Sequence, residues 1–460
     1  MQSNSKKKIV LINPQHSYGG KLIYLNGSLT AIAATLMAMG HAVTVIDLNI
    51  DHLKDEVVEL ALKAAEFIGI TLTGAPYIPE TLVLIPYLRS VNAVAPILLG
   101  GQVIEKLSDE ELSRIYGKLP NTVPIRSNGD LAAILGWKGS VPSPYRLPFH
   151  PVWQAMGVER LVLYARYEMT LVTSQGCSFN CAFCAARKDE AETHRTSSHF
   201  KNDLLYLAEV AQHAGIPELR FYASSLDFFQ NLTEVETQLK VLAEVQEETG
   251  IRMRVRCLSC LTSFTRAAKK IPQFGELLQK AGLWCVGFGS DGTSKNVWQA
   301  QNKPHNTLTK LEECIRLSHQ FGIRAELLMV LGFPEENWRT LLKTVGTSLW
   351  STVRWSHVII RPYLAKPFVP GNEGWTKNVA AARSVTSDPT LFYNLDFAAL
   401  GSQLTHPRFG HRLASNTTYL ALCALTLIGK GSTSPLLPQG GKGSFSAIAR
   451  LVNRTMPFDR

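Results

Sequence analysis

The sequence predicts an α/β protein built as two successive arrays of parallel strands, followed by a small, mainly helical C-terminal region. Three observations carry this. Short apolar runs alternate with helical patterns over residues 8–140, and the alternation resumes over residues 169–364, the pattern of parallel sheets whose strands are joined by helices. Beyond residue 364 strand-like runs stop. A chain of 460 residues is long enough for about two to three domains. The organisation read from these features is residues 1–140, a proline-punctuated linker over 141–168, a second array over 169–364 and a C-terminal helical cap over 365–460.

In the first array the strand candidates are Ile9–Asn13, Ala42–Asp47, Phe67–Thr71, Ile97–Leu99 and Thr122–Arg126. Leu29–Met39, rich in Ala, Leu and Met, is a helix stopped by Gly40, and Glu80–Val91 is a helix after the third strand. In sheets of this kind ligands bind beyond the carboxyl ends of the strands. Those ends carry Thr71, Thr73 and Gly74, then Gly100, Gly101 and Gln102, where small residues let a large ligand approach the backbone. Pro142, Pro144, Pro148 and Pro151 mark the linker, read as packed on the surface.

In the second array the strands are Met169–Thr173, Glu218–Tyr222, Arg252–Cys257, Trp284–Gly289, Arg324–Leu331 and His357–Tyr363. The helices are Asn202–Ala214, Leu232–Thr249, Phe274–Ala281, Thr307–Phe321 and Trp338–Leu349. Further on, Phe368–Trp375 reads as a Pro/Gly loop, Leu391–Leu400 and Thr417–Ile428 as helices, and Gly440–Gly443 as a flexible turn.

Composition is that of a globular protein, with 45% hydrophobic and 18% charged residues. Eight cysteines in so long a chain are no disulfide framework and suit a reducing, cytoplasmic compartment. The N-terminus lacks the apolar core of a signal peptide, and the late apolar stretch Thr418–Ile428 is too short to span a bilayer. The net charge is +10, and from Leu364 onward ten Lys+Arg face four Asp+Glu. This excess reads first as a solvated surface and second as a preference for an anionic substrate. No aromatic-interleaved basic motif points to nucleic acid.

The chemistry centres on Cys177, Cys181 and Cys184, a C-x3-C-x2-C array directly after the strand ending at Thr173, with Gly176 permitting the turn. Closely spaced thiolates on one loop can grip one face of an iron–sulfur cluster. Three ligands on a four-iron cluster leave one iron open. The competing reading is a zinc site with His194 or His199 as fourth ligand. Cys257 and Cys260, at the end of the third strand of this array, are read as packing residues, with a hydrogen-atom donor as the alternative.

With Phe183 just before the last cysteine, this stretch resembles the signature of radical S-adenosylmethionine (SAM) enzymes, whose catalytic fold is a partial (β/α)6 barrel. Phe288-Gly289-Ser290-Asp291-Gly292-Thr293-Ser294 resembles the family's Gly-x-Glu-Ser-Gly-Ser, and the following Val297-Trp298 and Asn302-Lys303 fit the same segment. Leu331-Gly332-Phe333-Pro334-Glu335 looks like its Gly-Phe-Pro-Gly-Glu turn, with Glu335 in place of the last glycine. Arg361-Pro362-Tyr363-Leu364 is similar to its sixth strand end. Leu29–Asp47, Ile68–Thr71, Leu98–Gly101 and Arg126–Asp130 resemble the Rossmann-like cobalamin-binding domain that precedes the barrel in one large class of these enzymes. Two departures stand out. Ser127-Asn128-Gly129-Asp130 replaces Gly-Glu-x-Glu. Gln15-His16-Ser17-Tyr18-Gly19 keeps the histidine and glycine of Asp-x-His-x-x-Gly without the aspartate, so His16 is read as a loop residue and not as a cobalt ligand.

The resemblance implies a [4Fe–4S] cluster on Cys177, Cys181 and Cys184 that binds SAM. Phe183, Ser224, Ser225, Arg256, Ser290, Asp291 and Gly332 would line the SAM site. Thr71, Thr73, Gly74, Gly100, Gly101 and Gln102 would line the cobalamin site. It further implies reductive cleavage of SAM to a 5′-deoxyadenosyl radical, hydrogen abstraction from an unactivated carbon of a small or carrier-bound substrate, and methyl transfer from methylcobalamin. A flavodoxin or ferredoxin would supply electrons. The same class includes enzymes that cyclise or rearrange rings without net methylation. A non-catalytic binding homologue is the remaining alternative, and the intact cysteines argue against it.

Overall fold

A computed structural model describes residues 6–15, 24–74, 77–185, 192–365, 371–373 and 408–430, with side chains of the last segment placed to residue 424. His16–Gly19, Leu391–Leu400, Gly440–Gly443 and most of Phe368–Trp375 lie outside these residues. The described residues divide into two compact units between Tyr164 and Ala165.

The first unit runs β1 (Lys8–Asn13), α1 (Gly27–Ala38), β2 (Ala42–Asp47), α2 (Glu56–Ala64), β3 (Phe67–Thr71), α3 (Tyr77–Val91), β4 (Ile97–Gly100), α4 (Gln102–Lys106), α5 (Asp109–Tyr116), β5 (Thr122–Pro124) and α6 (Asn128–Leu135). The five strands are parallel in the order β2-β1-β3-β4-β5. Continuous apolar strands such as Ile9-Val10-Leu11-Ile12, all buried, are what a sheet covered on both faces requires. The order reverses between β1 and β3, which makes the crevice beyond Asn13 and Thr71 the switch point of a doubly wound sheet.

Local chemistry sets the helix ends. Asn26 caps α1 by accepting from the Leu29 amide at 3.0 Å. The stretch that departs from Gly-Glu-x-Glu is a capping box. Ser127 Oγ accepts from the Asp130 amide (3.2 Å), and the Asp130 carboxylate accepts from the Arg126 and Ser127 amides (2.9 and 3.0 Å). Its acid is spent on starting α6.

The expected linker is more ordered than its prolines suggested. After a 3-10 turn (Pro144–Arg146) it forms α7 (His150–Met156) and α8 (Val158–Ala165). Pro151 lies in the first turn of α7, where a missing amide hydrogen costs nothing. From α8, Tyr164 donates to Asp47 Oδ2 at 2.5 Å and Arg160 pairs with Asp51. Asp47 Oδ1 also accepts from Asn13 and from Asn49 (2.9 and 2.7 Å). One buried carboxylate thus ties the ends of β1 and β2 to α8.

The second unit begins with β6 (Glu168–Val172), β7 (Ser174–Gln175) and β8 (Thr193–His194). It continues α9 (Ser197–His213), β9 (Glu218–Ser224), α10 (Leu232–Thr249), β10 (Arg252–Ser259), α11 (Leu261–Lys270), α12 (Phe274–Lys280) and β11 (Leu283–Phe288). Then come α13 (Lys295–Ala300), α14 (Leu308–Gln320), β12 (Arg324–Leu331), α15 (Trp338–Arg354) and β13 (Val358–Leu364), and finally α16 (Phe409–Lys430). Six strands form one parallel sheet in the order β13-β12-β11-β10-β9-β6, so all six carboxyl ends face one rim. β7 and β8 pair antiparallel across the base of the cysteine loop. A nest of phenylalanines, Phe229, Phe264, Phe274, Phe288 and Phe321, packs edge to face with centroids 5.0–6.4 Å apart. α16 begins eight residues before the helix expected at Thr417. Its Tyr419, Leu422 and Cys423 pack with Leu331 and Leu341.

Candidate functional site at the cysteine loop

Cys177, Cys181 and Cys184 all sit partly exposed on the loop between β7 and β8. The loop is clamped at several points. Ser174 pairs with His194 and Gln175 with Thr193 at its base. Gln230 bridges it, accepting from the Ser178 amide (2.9 Å) and donating to Glu192 (2.9 Å). The Ala182 amide donates to Gln301 O at 3.2 Å, and the Glu373 amide donates to Ala182 O at 3.2 Å. Phe179 stacks on His305 at 4.5 Å. Phe183 packs on Phe333 at 5.9 Å, with Val297, Val330 and Ala365 around them. The expected SAM contact Phe183 is therefore also the anchor that seats the loop on the turn after β12.

Burial pushes the Cys177 thiol up to about 11 and the Cys181 thiol up to about 12. Lys303 opposes the shift at Cys181, while Asp291 and the neighbouring thiols add to it. Ligand thiolates must lose these protons on binding metal. Among the described residues no three His, Cys, Asp or Glu gather closely enough to hold a single metal ion. His194 instead lies 3.2 Å from Glu192. A mononuclear site completed by His194 or His199 is thus not assembled, whereas a four-iron cluster spaces its thiolates more widely than one ion does. The donor set, three soft thiols carried on one clamped loop, fits one face of such a cluster.

The neighbouring strand ends place the other expected residues. Ser224 O accepts from the Thr173 amide at 3.2 Å, which fixes β9 against the start of the cysteine loop. Ser225 is 7% exposed and its hydroxyl has no hydrogen-bond partner among the described residues. Asp227 was overlooked as an organiser. It is buried and accepts from Ser259 Oγ and the Cys260 amide (both 3.1 Å) and from Ser263 Oγ (2.5 Å), so it starts α11 from within. Its position five residues after the strand expected to end at Tyr222 was the available signal. Cys257 is fully buried in β10, as packing requires. Cys260, the residue before α11, is partly exposed. Burial raises its thiol well above the ordinary range, with Asp227 adding, Lys303 opposing, and Cys177 and Cys181 close enough to add further.

Ser290 donates to Leu328 O at 2.7 Å and so braces β12. Asp291, at φ 46°, is ion-paired with Lys303, and both are buried. Gly332 adopts φ 84°, and its amide donates to Glu336 Oε2 at 2.7 Å. Glu335, in place of the family glycine, accepts from Gln301 at 3.0 Å. The buried acid of this turn is its neighbour, Glu336, pushed up to about 7 by burial.

Arg256 is placed differently from the expectation of a SAM carboxylate contact. Its Nε and Nη2 both donate to Glu168 (2.6 and 2.7 Å), and its guanidinium lies 4.6 Å from the Tyr222 ring. The forked edge that would bind a carboxylate is occupied from within the fold. Glu326 and Arg361 form a second buried pair at 2.6 Å.

In the first unit, Gly101 adopts φ 107°, and a Cβ there would lie 2.5 Å from Leu72 O. The ends of β3 and β4 therefore approach as closely as only glycine permits. Thr71 ends β3, Thr73 and Gly74 follow it, Gly100 ends β4, and Gln102 opens α4 with its side chain exposed. The structure brings these residues together at one end of the sheet, beside the switch point.

Residues 171–347, which carry the three loop cysteines, match the sequence model of the Radical SAM superfamily. Among solved structures, the fold is similar to that of the radical S-adenosylmethionine methyltransferase TsrM from Kitasatospora setae, solved with cobalamin and a [4Fe–4S] cluster bound. The TM-score is 0.62 at 17% identity, over 84% of this chain and 80% of that one. It is also similar to the cobalamin-dependent S-adenosylmethionine radical enzyme OxsB with aqua-cobalamin bound, with a TM-score of 0.59 at 16% identity, over 75% of this chain and 52% of that one. At these identities the likeness establishes the fold. No curated protein sequence matches the chain.

Proposed function

We propose that this chain is a cobalamin-dependent radical SAM enzyme that transfers a methyl group to an unactivated carbon. The observation that carries the reading is the clamped loop with Cys177, Cys181 and Cys184 on the rim of a six-stranded parallel sheet, read here as a partial (β/α)6 barrel. It is supported by the likeness to TsrM and OxsB, which span both units. When bound, the cluster supplies the electron that cleaves SAM, and the corrinoid supplies the methyl group.

The chain's own residues hold, orient and exclude water. Cys177, Cys181 and Cys184 would hold the cluster as thiolates. Ser225, with its unpartnered buried hydroxyl, is assigned a polar contact to SAM, together with Ser224, Ser290 and the Gly332 turn. Lys303 and Asp291 sit beside the loop as a neutral pair, so Asp291 acts by positioning. Arg256 does likewise through Glu168. Phe183, Phe333 and Val297 keep water from the loop, as radical chemistry needs. Thr71, Thr73, Gly74, Gly100, Gly101 and Gln102 are assigned to the corrinoid. The electron donor is assigned to the flavodoxin or ferredoxin class and the substrate to small or carrier-bound anionic molecules.

The test is an anaerobic incubation of the reconstituted chain with hydroxocobalamin, reductant and SAM labelled in its methyl group. Label in the product supports methyl transfer. A rearranged product without label favours the ring-forming reading, and failure to retain corrinoid removes the first unit from the chemistry.

A further inference from the structure

Helix α15 is amphipathic the wrong way round. Its buried face is Leu341, Thr344, Ser348 and Ser351. The hydroxyls of Thr344 and Ser348 are satisfied by the carbonyls one turn back, at 3.1 and 2.8 Å. Its outer face presents Trp338, Leu342, Leu349, Trp350 and Val353, each 42–87% exposed. The first turns of α16 share this feature. The helix buries His411, Arg412 and Ser415 in its first half, beside the apolar Tyr419, Leu422 and Cys423 further on, and exposes Phe409, Leu413 and Leu420 by 50–62%. The two helices meet at their starts, where the Trp338 ring lies edge-on to His411 at 5.5 Å. Eight of the fifteen strongly exposed large apolar side chains among the described residues lie on these two helices, so this is one patch and not random scatter.

The charge on the patch has one sign. Neither α15 nor α16 contains an Asp or Glu. Arg339, Lys343 and Arg354 line the apolar stripe of α15 and form no ion pair among the described residues, and Arg354 lies 5.6 Å from the Trp350 ring. A second copy of this face would set like charges against each other. Side chains that stand this far into solvent also need a pocket apiece on a protein partner, whereas a lipid interface yields around them. Paired tryptophans, aliphatic side chains and a flanking row of cations are the composition of helices that lie in a bilayer interface. No helix of the described residues is long and apolar enough to cross a membrane, so the contact is peripheral.

We propose that the outer face of α15 and α16 docks the enzyme on the surface of an anionic lipid bilayer, with Trp338, Leu342, Trp350 and Val353 entering the interface and Arg339, Lys343 and Arg354 meeting the headgroups. The proposal is independent of the chemistry assigned to the cysteine loop.

The test is sedimentation of the full-length reconstituted protein with vesicles of mixed phosphatidylglycerol and phosphatidylcholine, and with phosphatidylcholine alone. The expected result is binding to the mixed vesicles, with a blue shift of tryptophan emission, and weak binding to the neutral ones. Arg339→Glu with Lys343→Glu should weaken binding to mixed vesicles by about tenfold or more. Leu342→Asp with Val353→Asp should abolish the emission shift. Iron content and melting temperature report that each variant is folded. Equal binding to both vesicle types, or binding undiminished in folded variants, would overturn the proposal. So would a concentration-dependent dimer that Leu342→Asp with Val353→Asp dissolves and that binds no lipid, since the face would then join two copies.

Discussion

Lys303 donates to the carboxylate of Asp291 and to the carbonyl of Gly289 (3.2 Å), and its charge lies 5.5 Å from the ring of Phe183, the residue before Cys184. The pair joins the end of β11 to the cysteine loop. Burial disfavours the Lys303 charge, but the attraction and hydrogen bond of Asp291, with smaller contributions from Cys260 and Cys181, together outweigh it and hold the ammonium in its charged form. Removing one member leaves the other buried and unpaired.

Lys303→Met should therefore destabilise the chain by about 3–5 kcal/mol, far more than loss of an exposed pair. Lys303→Met with Asp291→Asn should recover part of that loss. Denaturant unfolding of the unaltered chain, Lys303→Met, Asp291→Asn and the double variant measures the coupling. If the double variant is no more stable than the single, the buried-charge argument fails.

Alanine at any one of Cys177, Cys181 or Cys184 should lower reconstituted iron and sulfide severely, while Cys260→Ala should leave them unchanged. Cys260 lies near the loop but serves as the residue that starts α11, with its amide held by Asp227. Iron and acid-labile sulfide analysis decides this. A comparable loss in Cys260→Ala would make it a fourth ligand and close the open iron.

The Glu336 carboxyl is raised from an ordinary 4.5 to about 7, because burial disfavours its charge and the Gly332 amide only partly offsets this. A group whose folded value lies above its unfolded one contributes stability that is fully present below about 4.5 and is lost as pH rises through about 7. Between those limits stability should fall by up to about 1.4 kcal/mol per pH unit. Glu336→Gln should flatten that slope, as read from melting curves across the interval. An unchanged slope would assign it to other groups.

Gly101→Ala should cost about 1–3 kcal/mol from the left-handed backbone alone, and more if Leu72 O cannot move from the added methyl. The loss should be accompanied by weaker corrinoid retention, measured spectrally after gel filtration. Gly346→Ala, in α15, where an added Cβ meets nothing within 4 Å, is the control.

Much of this fold was legible because periodicity is local. The strands of both sheets lie within a few residues of where alternation and apolar runs placed them, and the cysteine array announced itself by spacing. What stayed hidden depended on distant partners. Nothing near Arg256 foretells that Glu168, 88 residues earlier, takes its forked edge. α11 was missed because Leu261-Thr262-Ser263-Phe264-Thr265 is rich in residues that favour strands or turns, and its start is set by Asp227 and not by a local side-chain cap. The prolines of the expected linker hid α7, since Pro151 opens a helix as readily as other prolines end one. At the turn after β12, the sequence pattern drew attention to Glu335, while the buried acid is Glu336.

Cleavage of SAM at the cysteine loop is the step on which the proposed chemistry depends. The chain should be reconstituted anaerobically, mixed with SAM and a low-potential reductant, and assayed by mass spectrometry for 5′-deoxyadenosine. This product should accumulate with the unaltered chain and disappear in Cys181→Ala. Product no higher than in that variant, from protein with a full complement of iron and sulfide, would contradict the proposed chemistry.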